Sequence, residues 1–525
     1  MDGGHGPRTV RRGGAVTPQS TGHAERPKRR NVELALLLVA VAVLAGGLCL
    51  AGWEIDGRVP DDLALFVGAF GGAVLVLHVA LRRLAPWADP LMLPLAAVLN
   101  AVGLTVIWGL HRTEGLVEFA AGKQLMWAVL GVAGCLGVLL LLREPRRLQR
   151  YPYLLAVTGL VLLALPMLPI IGIDAYGAHR WIGVRGFTVQ PSEFAKILLV
   201  VFLAAYLGMK REVLSTAARQ LRVRGVKVFS LPRMRDLGPM TVAWGFAILL
   251  LVGTKDLGAS LLLFGVFLAI LYTATGRKSW VGIGLLMFSA GATIAWAMFV
   301  HVRQRVLIWL DPFDPELYRS AGGSYQLVEG LFALADGGLF GTGFADGRAA
   351  DIFAADSDLI LVSIGEKLGL TGLMAVLVLL LLLAERGFRT AIASREIFVK
   401  LMATGFAFLL GFQVFVVLGG VTRLIPLTGM TTPFLAAGGS SLVSSWIMIG
   451  LWLRMSDSAR RPSPAPQEQA RGEDVTEVIR LPGGGVGAPR GAGTSQGADA
   501  SQRDEEAGVN REGDPSPSRR ATAQG

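Results

Sequence analysis

The chain has 525 residues, of which 52% are hydrophobic and only 17% are charged. In a soluble domain about a quarter of the residues are charged, so this composition excludes an ordinary soluble globular protein. The net charge of +11 does not indicate a nucleic-acid-binding protein, because the basic residues fall in short loops between apolar segments. Cys49 and Cys135 lie inside apolar segments and form neither a metal-ligand spacing nor a disulfide framework.

Apolar segments of about twenty residues recur along the chain, each long enough to cross a hydrocarbon core of ~30 Å. They predict an all-α, polytopic membrane bundle of about twelve spans, at 34–53, 61–81, 90–110, 122–142, 152–172, 193–208, 238–254, 257–275, 280–300, 359–384, 398–420 and 436–454. Residues 1–31 and 456–525 lack the apolar residues needed to fold alone, so we expect two disordered tails. The membrane domain is then 32–455, with the first two spans as an N-terminal addition.

Basic residues mark one side of this bundle. They precede the first span and occupy the connections at 82–83, 143–150, 210–236, 277–278 and 386–400. Because positively charged loops stay in the cytoplasm, both tails are predicted to be cytoplasmic. The outward side then holds the longest connection, 301–357, whose aromatic residues and glycine turns predict a loop folded against the membrane surface.

Asp358 lies at the outer mouth of the tenth predicted span. A carboxylate there is placed to take a proton from a hydroxyl group arriving from outside, but a helix N-cap explains the position equally well. Glu366 lies about two turns, or ~12 Å, deeper on the same face. A cap cannot explain this second acid, and a buried ion pair is the favoured interpretation because acids at membrane depth usually pair.

The outward loop before the sixth span carries a second polar cluster. Pro191, with Glu193 close behind it, indicates a helix start. Lys196 follows one turn later, and Arg180 precedes the helix. Two cations beside a helix N-terminus suit a phosphate; taken one at a time, each is better explained as an anchor at the membrane interface.

A third outward element, GGVTRLIPLTGMTTPFLAAGGSSL, is rich in glycine and proline, and Arg423 is its only charged residue. It is either unwound backbone that lines a cavity or an ordinary loop. His111, His179 and His301 also lie outside, without metal-ligand spacing. These features favour an enzyme that acts on an anionic, membrane-held substrate or a transporter of such a substrate, and the residues alone leave both open.

Six blocks, in order between about residues 174 and 455, resemble the SEDS family (shape, elongation, division and sporulation), which includes RodA, FtsW and SpoVE. They are GAHRWIGVRGFTVQPSEFAK, KDLGASLLL, VRQRVLIWLDPFDP, SYQLVEGLFALADGGLFGTGF, SDLILVSIGEKLGLTGL and RLIPLTGMTTPFLAAGGSSL. The long RLIPLTGMTTP form, the two extra N-terminal spans and the tails are most similar to actinobacterial RodA-type members.

The resemblance implies a peptidoglycan glycosyltransferase that polymerises lipid II at the outer face of the cytoplasmic membrane, in cell elongation or division, with a class B penicillin-binding protein as partner. In the family an essential aspartate precedes the block that corresponds to GEKLG here. Its position implies that Asp358, and not Asp356 or Asp351, is the general base that acts on the 4-hydroxyl of the acceptor GlcNAc. The acidity of that hydroxyl is too low for it to ionise unaided at neutral pH.

The resemblance also implies the remaining site residues. Arg180, Lys196 and Arg305 would hold the pyrophosphate of the undecaprenyl leaving group, with Trp181 beside them. Glu193 and Glu366 would orient these cations, Tyr325 and Gln326 would shape the loop over the site, and Arg423 would support it. No cofactor is certain; a divalent cation, Mg²⁺ or Mn²⁺, is a further way to offset the charge, and no metal ligand is assigned.

The chain departs from the family pattern close to the predicted base. Ser357 and Leu359 flank Asp358 where an HTDF-like run is usual, Lys367 makes GEELG into GEKLG, and AAGGSS replaces SYGGSS. These departures keep open a divergent paralogue or a non-catalytic scaffold for a penicillin-binding protein. A lipid II flippase is the alternative from the transport class.

Overall fold

The structure, a computed structural model, describes residues 29–113, 117–169, 171–175, 178–184, 187–216, 218–223, 226–232, 255–320 and 322–462, with a few positions between 242 and 253. All of these belong to one compact unit. The predicted tails lie almost wholly outside the described residues, as does most of the predicted span 238–254.

The described part of the chain is mainly helical. Its helices are α1 Arg29–Asp56, α2 Leu63–Leu84, α3 Met92–Thr113, α4 Val117–Leu141, α5 Pro152–Ala164, α6 Pro191–Thr216, α7 Leu257–Thr275, α8 Lys278–Met298, α9 Val300–Leu310, α10 Pro315–Arg319, α11 Tyr325–Gly337, α12 Ile360–Ala393, α13 Ile397–Val421 and α14 Gly439–Arg460. Nine helices within the described residues are long and apolar enough to cross a membrane. The predicted polytopic helical architecture is confirmed, and the count of twelve spans stays a prediction.

Two small sheets interrupt the helices, which an all-α prediction does not include. Strands β1 Gly172–Ala175, β2 Ala178–Val184 and β3 Phe187–Val189 form an antiparallel sheet in the order β1-β2-β3, with Ile182 paired to both Gly172 and Val189. Strands β4 Ala218–Val223 and β5 Val226–Pro232 form an antiparallel hairpin. The first sheet leads directly into α6 and carries Arg180 and Trp181.

Two helices end at residues that differ from the predicted boundaries. The fifth span, placed at 152–172, ends as an α-helix at Ala164 and continues only as a short 3₁₀ turn around Pro166, because proline cannot donate the next helical hydrogen bond. Helix α14 continues past the predicted domain boundary at 455 to Arg460. Its last turns are fixed by hydrogen bonds from the backbone of Trp87 to Asp457 and from the backbone of Asp89 to Ser456.

The bundle is held by lengthwise helix pairs: α1 lies along α3, α4 along α14, and α12 along α13. The N-terminal pair α1 and α2 is joined by a buried polar network. Glu33 accepts from Arg30 and contacts His78 Nδ1 at 2.6 Å, and all three side chains are buried. Burial of such charges is costly unless they pair, and here every member has a partner.

Helix α12 is broken at Gly369, whose φ of 70° and ψ of −177° belong to a region that essentially only glycine adopts. The break frees backbone groups that the segment 338–343 satisfies. Thr342 N donates to Glu366 O at 2.9 Å, and Leu370 N donates to Gly338 O at 2.9 Å. The short N-terminal part of α12, Ile360–Leu368, is therefore held at its C-terminal end by hydrogen bonds to this loop segment.

Candidate functional site

A cavity of about 890 Å³ opens where the loop after β3, the start of α7, helix α9 and the turns before α12 meet. The segment 429–441 closes another side of it. Seven predicted site residues line this cavity: Asp358, Arg180, Trp181, Lys196, Glu193, Arg305 and Gln326. These seven residues belong to four of the six sequence blocks, and the structure brings them to one cavity.

Asp358 stands in the turns immediately before α12. The N-cap position of that helix is Leu359, and no side chain caps it, so the structure does not support the alternative in which Asp358 serves as a cap. Burial raises the pKa of Asp358 above that of an ordinary aspartate, while Arg180 and Arg305 act to lower this pKa. A buried carboxylate with a raised pKa is a better proton acceptor than an exposed one.

The side-chain ends of Asp358, Arg180 and Arg305 lie around the backbone of Gly429. A Cβ atom at Gly429 would lie 3.3 Å from Asp358 Oδ2 and 3.9 Å from each of Arg180 Nη1 and Arg305 Nη2. Gly429 has a φ of +65°, which L residues rarely adopt. Glycine here therefore leaves free the space between the carboxylate and the two guanidinium groups.

Main-chain carbonyls hold both guanidinium groups. Arg180 Nη2 donates to Lys255 O at 2.8 Å, and Arg305 Nη1 donates to Leu427 O at 2.6 Å. The buried Arg180 Nε has no hydrogen-bond partner among the described residues. Because carbonyl groups fix the arginines without neutralising them, both keep positive charge for an anionic ligand.

The cavity is electropositive on this side. Burial, together with Lys255, Arg305 and Arg180, lowers the pKa of His301, which also lines the cavity. His301 is therefore held neutral at a pH where an ordinary histidine begins to protonate. Burial is the main cause of this lowered pKa, and the three cations lower it further.

A second charged pair forms the inner wall. Lys196 Nζ lies 2.7 Å from Glu193 Oε2 and donates to Gln413 Oε1 at 3.3 Å. Ser444 Oγ donates to the same Glu193 oxygen at 3.2 Å. Glu193 and Lys196 are each only 8% exposed, so the structure does not support the alternative in which Lys196 extends to the headgroup region. Glu193 therefore forms an ion pair with this lysine, and its role in orienting a cation of the site stays a prediction.

Three predicted residues do not line the cavity. The ring of Tyr325 lies 5.5 Å from that of Tyr318, at an angle of 58° between the ring planes. Arg423 donates to the carbonyls of Trp309 and Leu310, and so ties the loop after α13 to the end of α9.

Glu366, the third of them, is fully buried. Its two oxygens accept from Arg348 N at 2.8 Å and Ala349 N at 2.9 Å, and Lys367 Nζ lies 3.7 Å away. This differs from the expectation that Glu366 orients the cavity cations, because loop amides already hold its carboxylate. The lysine beside it agrees with the alternative of a buried ion pair.

Two residues that line the cavity, Asp256 and Gln413, were not predicted from the sequence as site residues. Asp256 caps α7 by accepting from Ala259 N at 3.2 Å, and Gln413 joins Lys196 to the carbonyl of Thr431. Both carried a signal. Asp256 lies in the polar junction GTKDLG between two spans, and Gln413 is a lone amide inside an apolar segment. Polar residues at membrane depth usually face a cavity or partner.

The donor set does not fit the divalent cation that the resemblance allows. Within the described residues, no group of three or more His, Cys, Asp or Glu side chains is arranged to hold a metal ion. The groups nearest Asp358 around Gly429 are guanidinium groups, which repel a metal ion. The charge of a phosphate would here be met by arginine and lysine.

The chain is similar over most of its length to known proteins. The model of the cell cycle protein family FtsW/RodA/SpoVE matches residues 89–461. The peptidoglycan glycosyltransferase RodA of Mycobacterium tuberculosis is 44% identical over 458 residues, which cover 85% of this chain and 93% of that protein. RodA of Mycobacterium leprae is 43% identical over 83% of this chain and 92% of its own length.

Solved structures share the fold. A chain from a peptidoglycan synthase complex that coordinates polymerization and crosslinking superposes with a TM-score of 0.56 at 24% identity, covering 71% of this chain and 99% of that one. A mutant of the rod shape determining protein RodA from Thermus thermophilus gives a TM-score of 0.50 at 23% identity, over 72% and 99% of the two chains. At these identities the likeness supports the fold alone.

Proposed function

The chain belongs to the FtsW/RodA/SpoVE family of cell cycle proteins, and we propose that it is a peptidoglycan glycosyltransferase that polymerises lipid II into glycan strands. Membership of this family confirms the resemblance found in the six sequence blocks. The observation that carries the proposal is the convergence of Asp358, Arg180 and Arg305 around Gly429 in one cavity. The mycobacterial relatives are themselves named peptidoglycan glycosyltransferases.

In the proposed reaction Asp358 accepts the proton of the 4-hydroxyl group of the acceptor GlcNAc. The hydroxyl oxygen then forms a bond to the anomeric carbon of the growing strand, and the bond from that carbon to the undecaprenyl pyrophosphate breaks. The pKa of Asp358, raised by burial, reduces the mismatch between base and hydroxyl. General-base catalysis of this kind contributes about 10²–10⁴-fold to a rate.

The leaving pyrophosphate gains negative charge as its bond breaks. Arg180 and Arg305 are proposed to stabilise this charge, because each is fixed by a carbonyl and needs no reorganisation. Lys196, oriented by Glu193, extends the positive surface along the inner wall. Arg305 is part-buried, and a positive charge partly shielded from water acts more strongly on a developing anion than the same charge in bulk water.

The site is proposed to face outward, with both termini in the cytoplasm, because the basic connections of the sequence then lie inside. A class B penicillin-binding protein is the proposed partner. The support for this partner is the structural similarity to a chain of a complex that couples polymerization with crosslinking. The exposed apolar surface of α8, with Leu286 at 72% and Met298 at 69% exposure, is available for lipid or for another transmembrane helix.

The test uses the full-length protein in proteoliposomes with lipid II. Asp358→Asn keeps the size of the side chain and removes the base, so we expect the yield of glycan strand per minute to fall by about 10²-fold or more. Asp351→Asn is the matched control, since Asp351 lies in the same loop and does not line the cavity. It should polymerise at the wild-type rate.

Three outcomes would contradict the proposal. Equal polymer yield from wild type and the Asp358 variant would remove the base from the mechanism. Transfer of lipid II across sealed vesicles without polymer formation would indicate a flippase. A wild-type protein that makes no polymer but recruits a penicillin-binding protein would indicate a scaffold.

A further inference from the structure

Helices α1 and α2 lie outside the part of the chain that the family model matches, which begins at residue 89. Even so, the outer end of α1 contacts the loop that fixes the broken helix α12. We infer that Glu54, near the end of α1, is a positioning residue for Asp358. The inference rests on the proposed function and adds a residue from the N-terminal helices to its site.

The first contact joins α1 to the loop. Glu54 Oε2 accepts a hydrogen bond from Phe344 N at 2.5 Å. The side chain of Phe344 is only 3% exposed and packs beside Gly109 of α3, the helix along which α1 lies. Phe344 is thus fixed through its backbone by α1 and through its ring by α3.

The second set of contacts joins the loop to the N-terminal part of α12. Thr342 N donates to Glu366 O at 2.9 Å, and Gly343 N donates to Lys367 O at 3.2 Å. These are the two residues immediately before Phe344. They satisfy carbonyl groups that the break at Gly369 leaves without helical partners, so the loop closes the inner end of the half-helix Ile360–Leu368.

The third set of contacts involves side chains. Lys367 Nζ donates to Asp346 O at 2.5 Å, and Glu366 accepts from the backbone of Arg348 and Ala349. The residues that follow Phe344 therefore fold over both charged groups of the half-helix. A loop with this many bonds to one helical unit moves with it.

Asp358 stands just before the first residue of that unit, Ile360. Because a two-turn helix moves as one body, displacement of its inner end displaces Asp358 relative to Arg180 and Arg305. Misplacement of a reacting group by about 1 Å can cost up to about 10²-fold in rate. Loss of the Glu54 contact should therefore slow the reaction, although Glu54 itself does not contact the substrate.

The experiment compares three variants of the full-length protein in nanodiscs. Glu54→Ala removes the acceptor for Phe344 N, whereas Glu54→Gln keeps an acceptor oxygen in the same place. Asp56→Asn is the matched control. It removes a carboxylate from the same helix end, where Asp56 pairs with Arg112 at 2.8 Å and does not contact the loop.

Two readouts are measured on each variant. Hydrogen–deuterium exchange is followed in residues 338–349 and in residues 355–363, and kcat and KM are measured with lipid II. For Glu54→Ala we expect faster exchange in both segments, a fall in kcat of about tenfold and a KM within about twofold of wild type. Glu54→Gln should recover most of the rate, and Asp56→Asn should match wild type.

The inference is overturned if Glu54→Ala speeds exchange only in 338–349 while 355–363 and kcat stay unchanged. It is also overturned if Glu54→Ala and Asp56→Asn lose the same rate and the same thermal stability, since that reports a general loss of fold. If wild type makes no polymer, the proposed function fails. Exchange in 355–363 then still decides whether Glu54 positions Asp358.

Discussion

Burial and two neighbouring guanidinium groups act in opposite directions on the pKa of Asp358. Burial favours the neutral acid and raises the pKa, while Arg180 and Arg305 favour the carboxylate. A general base works only when ionised, so the rate should fall as the pH decreases through this raised pKa. The acidic limb of the pH–rate profile should therefore lie above the usual range of an aspartate, about 3.9.

Arg305→Gln removes one of the two positive charges that stabilise the carboxylate. The pKa of Asp358 should rise further, so the acidic limb of log kcat/KM against pH should move to higher pH, in addition to a lower plateau rate. Arg303→Gln is the control, because Arg303 is exposed, lies on the same helix and does not line the cavity. A limb that stays in place in Arg305→Gln would show that another group controls the rate.

Asp356 acts on the pKa of Asp358 in the opposite direction to Arg305. It lies near Asp358, acts to raise the pKa of that residue, and contacts His111 Nε2 at 3.2 Å. The sequence alone separated Asp358 from Asp356 only through register with the GEKLG block. The structure adds a physical distinction, because Asp356 already has a partner on α3 whereas Asp358 faces the cavity.

Among the elements, the broken helix α12 matters most for the site. Its break exposes polar backbone close to the membrane, which is tolerated only where protein supplies partners. The segment 338–343 does so on both sides of Gly369. A continuous helix would leave this loop without its hydrogen-bond partners and would carry Asp358 in a different direction.

Gly369→Ala should destabilise this element. The backbone conformation of Gly369 costs a residue with a side chain about 1–3 kcal/mol, and the added Cβ would lie 2.5 Å from Leu339 O. We expect a lower unfolding temperature in a thermal scan in detergent, with early exposure of residues 338–349. Gly137→Ala in α4 is the control, because Gly137 is helical with open space around it and alanine there should stabilise by about 0.5–1 kcal/mol. Equal unfolding temperatures for the two variants would contradict the prediction.

Element type was largely predictable from the sequence, and element ends were not. Apolar length located α3, α13 and the other long helices, because crossing a membrane requires about twenty apolar residues. The end of α5 at Ala164 and the extension of α14 to Arg460 depend on local proline chemistry and on contacts with residues 87–89. Contacts between residues so far apart in sequence leave no periodic pattern.

The residues of the site were predictable in part, but their arrangement in space was not, because it depends on contacts between distant parts of the chain. Asp358, Arg180 and Arg305 could be named from motif register, but their meeting around Gly429 depends on four segments of the chain. Glu54 could not be named at all. It lies in the last turn of an apolar helix, an ordinary position for an acid at the membrane interface, and only its contact with Phe344 distinguishes it from Asp56.

At the scale of the whole molecule, the asymmetric distribution of basic residues predicts the orientation in the membrane. Arg147→Cys places a thiol in an exposed connection of the predicted inner side, and Glu316→Cys places one on the exposed α10 of the outer side. A membrane-impermeant maleimide added to intact cells should label the Glu316 variant only. The Arg147 variant should be labelled after permeabilisation.

Wild type, whose Cys49 and Cys135 are free and lie within α1 and α4, gives the background for this labelling. Reversed labelling of the two variants would invert the orientation and turn the cavity toward the cytoplasm. The proposed use of lipid II at the outer face would then be lost.

The size of the cavity bears on the product. A volume of about 890 Å³ lies within the range of about 300–1,000 Å³ for pockets that enclose a drug-sized molecule. A glycan strand of many disaccharide units is longer than a cavity of this size, so only the reacting end of a strand can lie inside it. Under the proposed function each new strand must leave the protein as it grows. Because only the reacting end is held, we expect strand length to be set by how many additions occur before the strand dissociates.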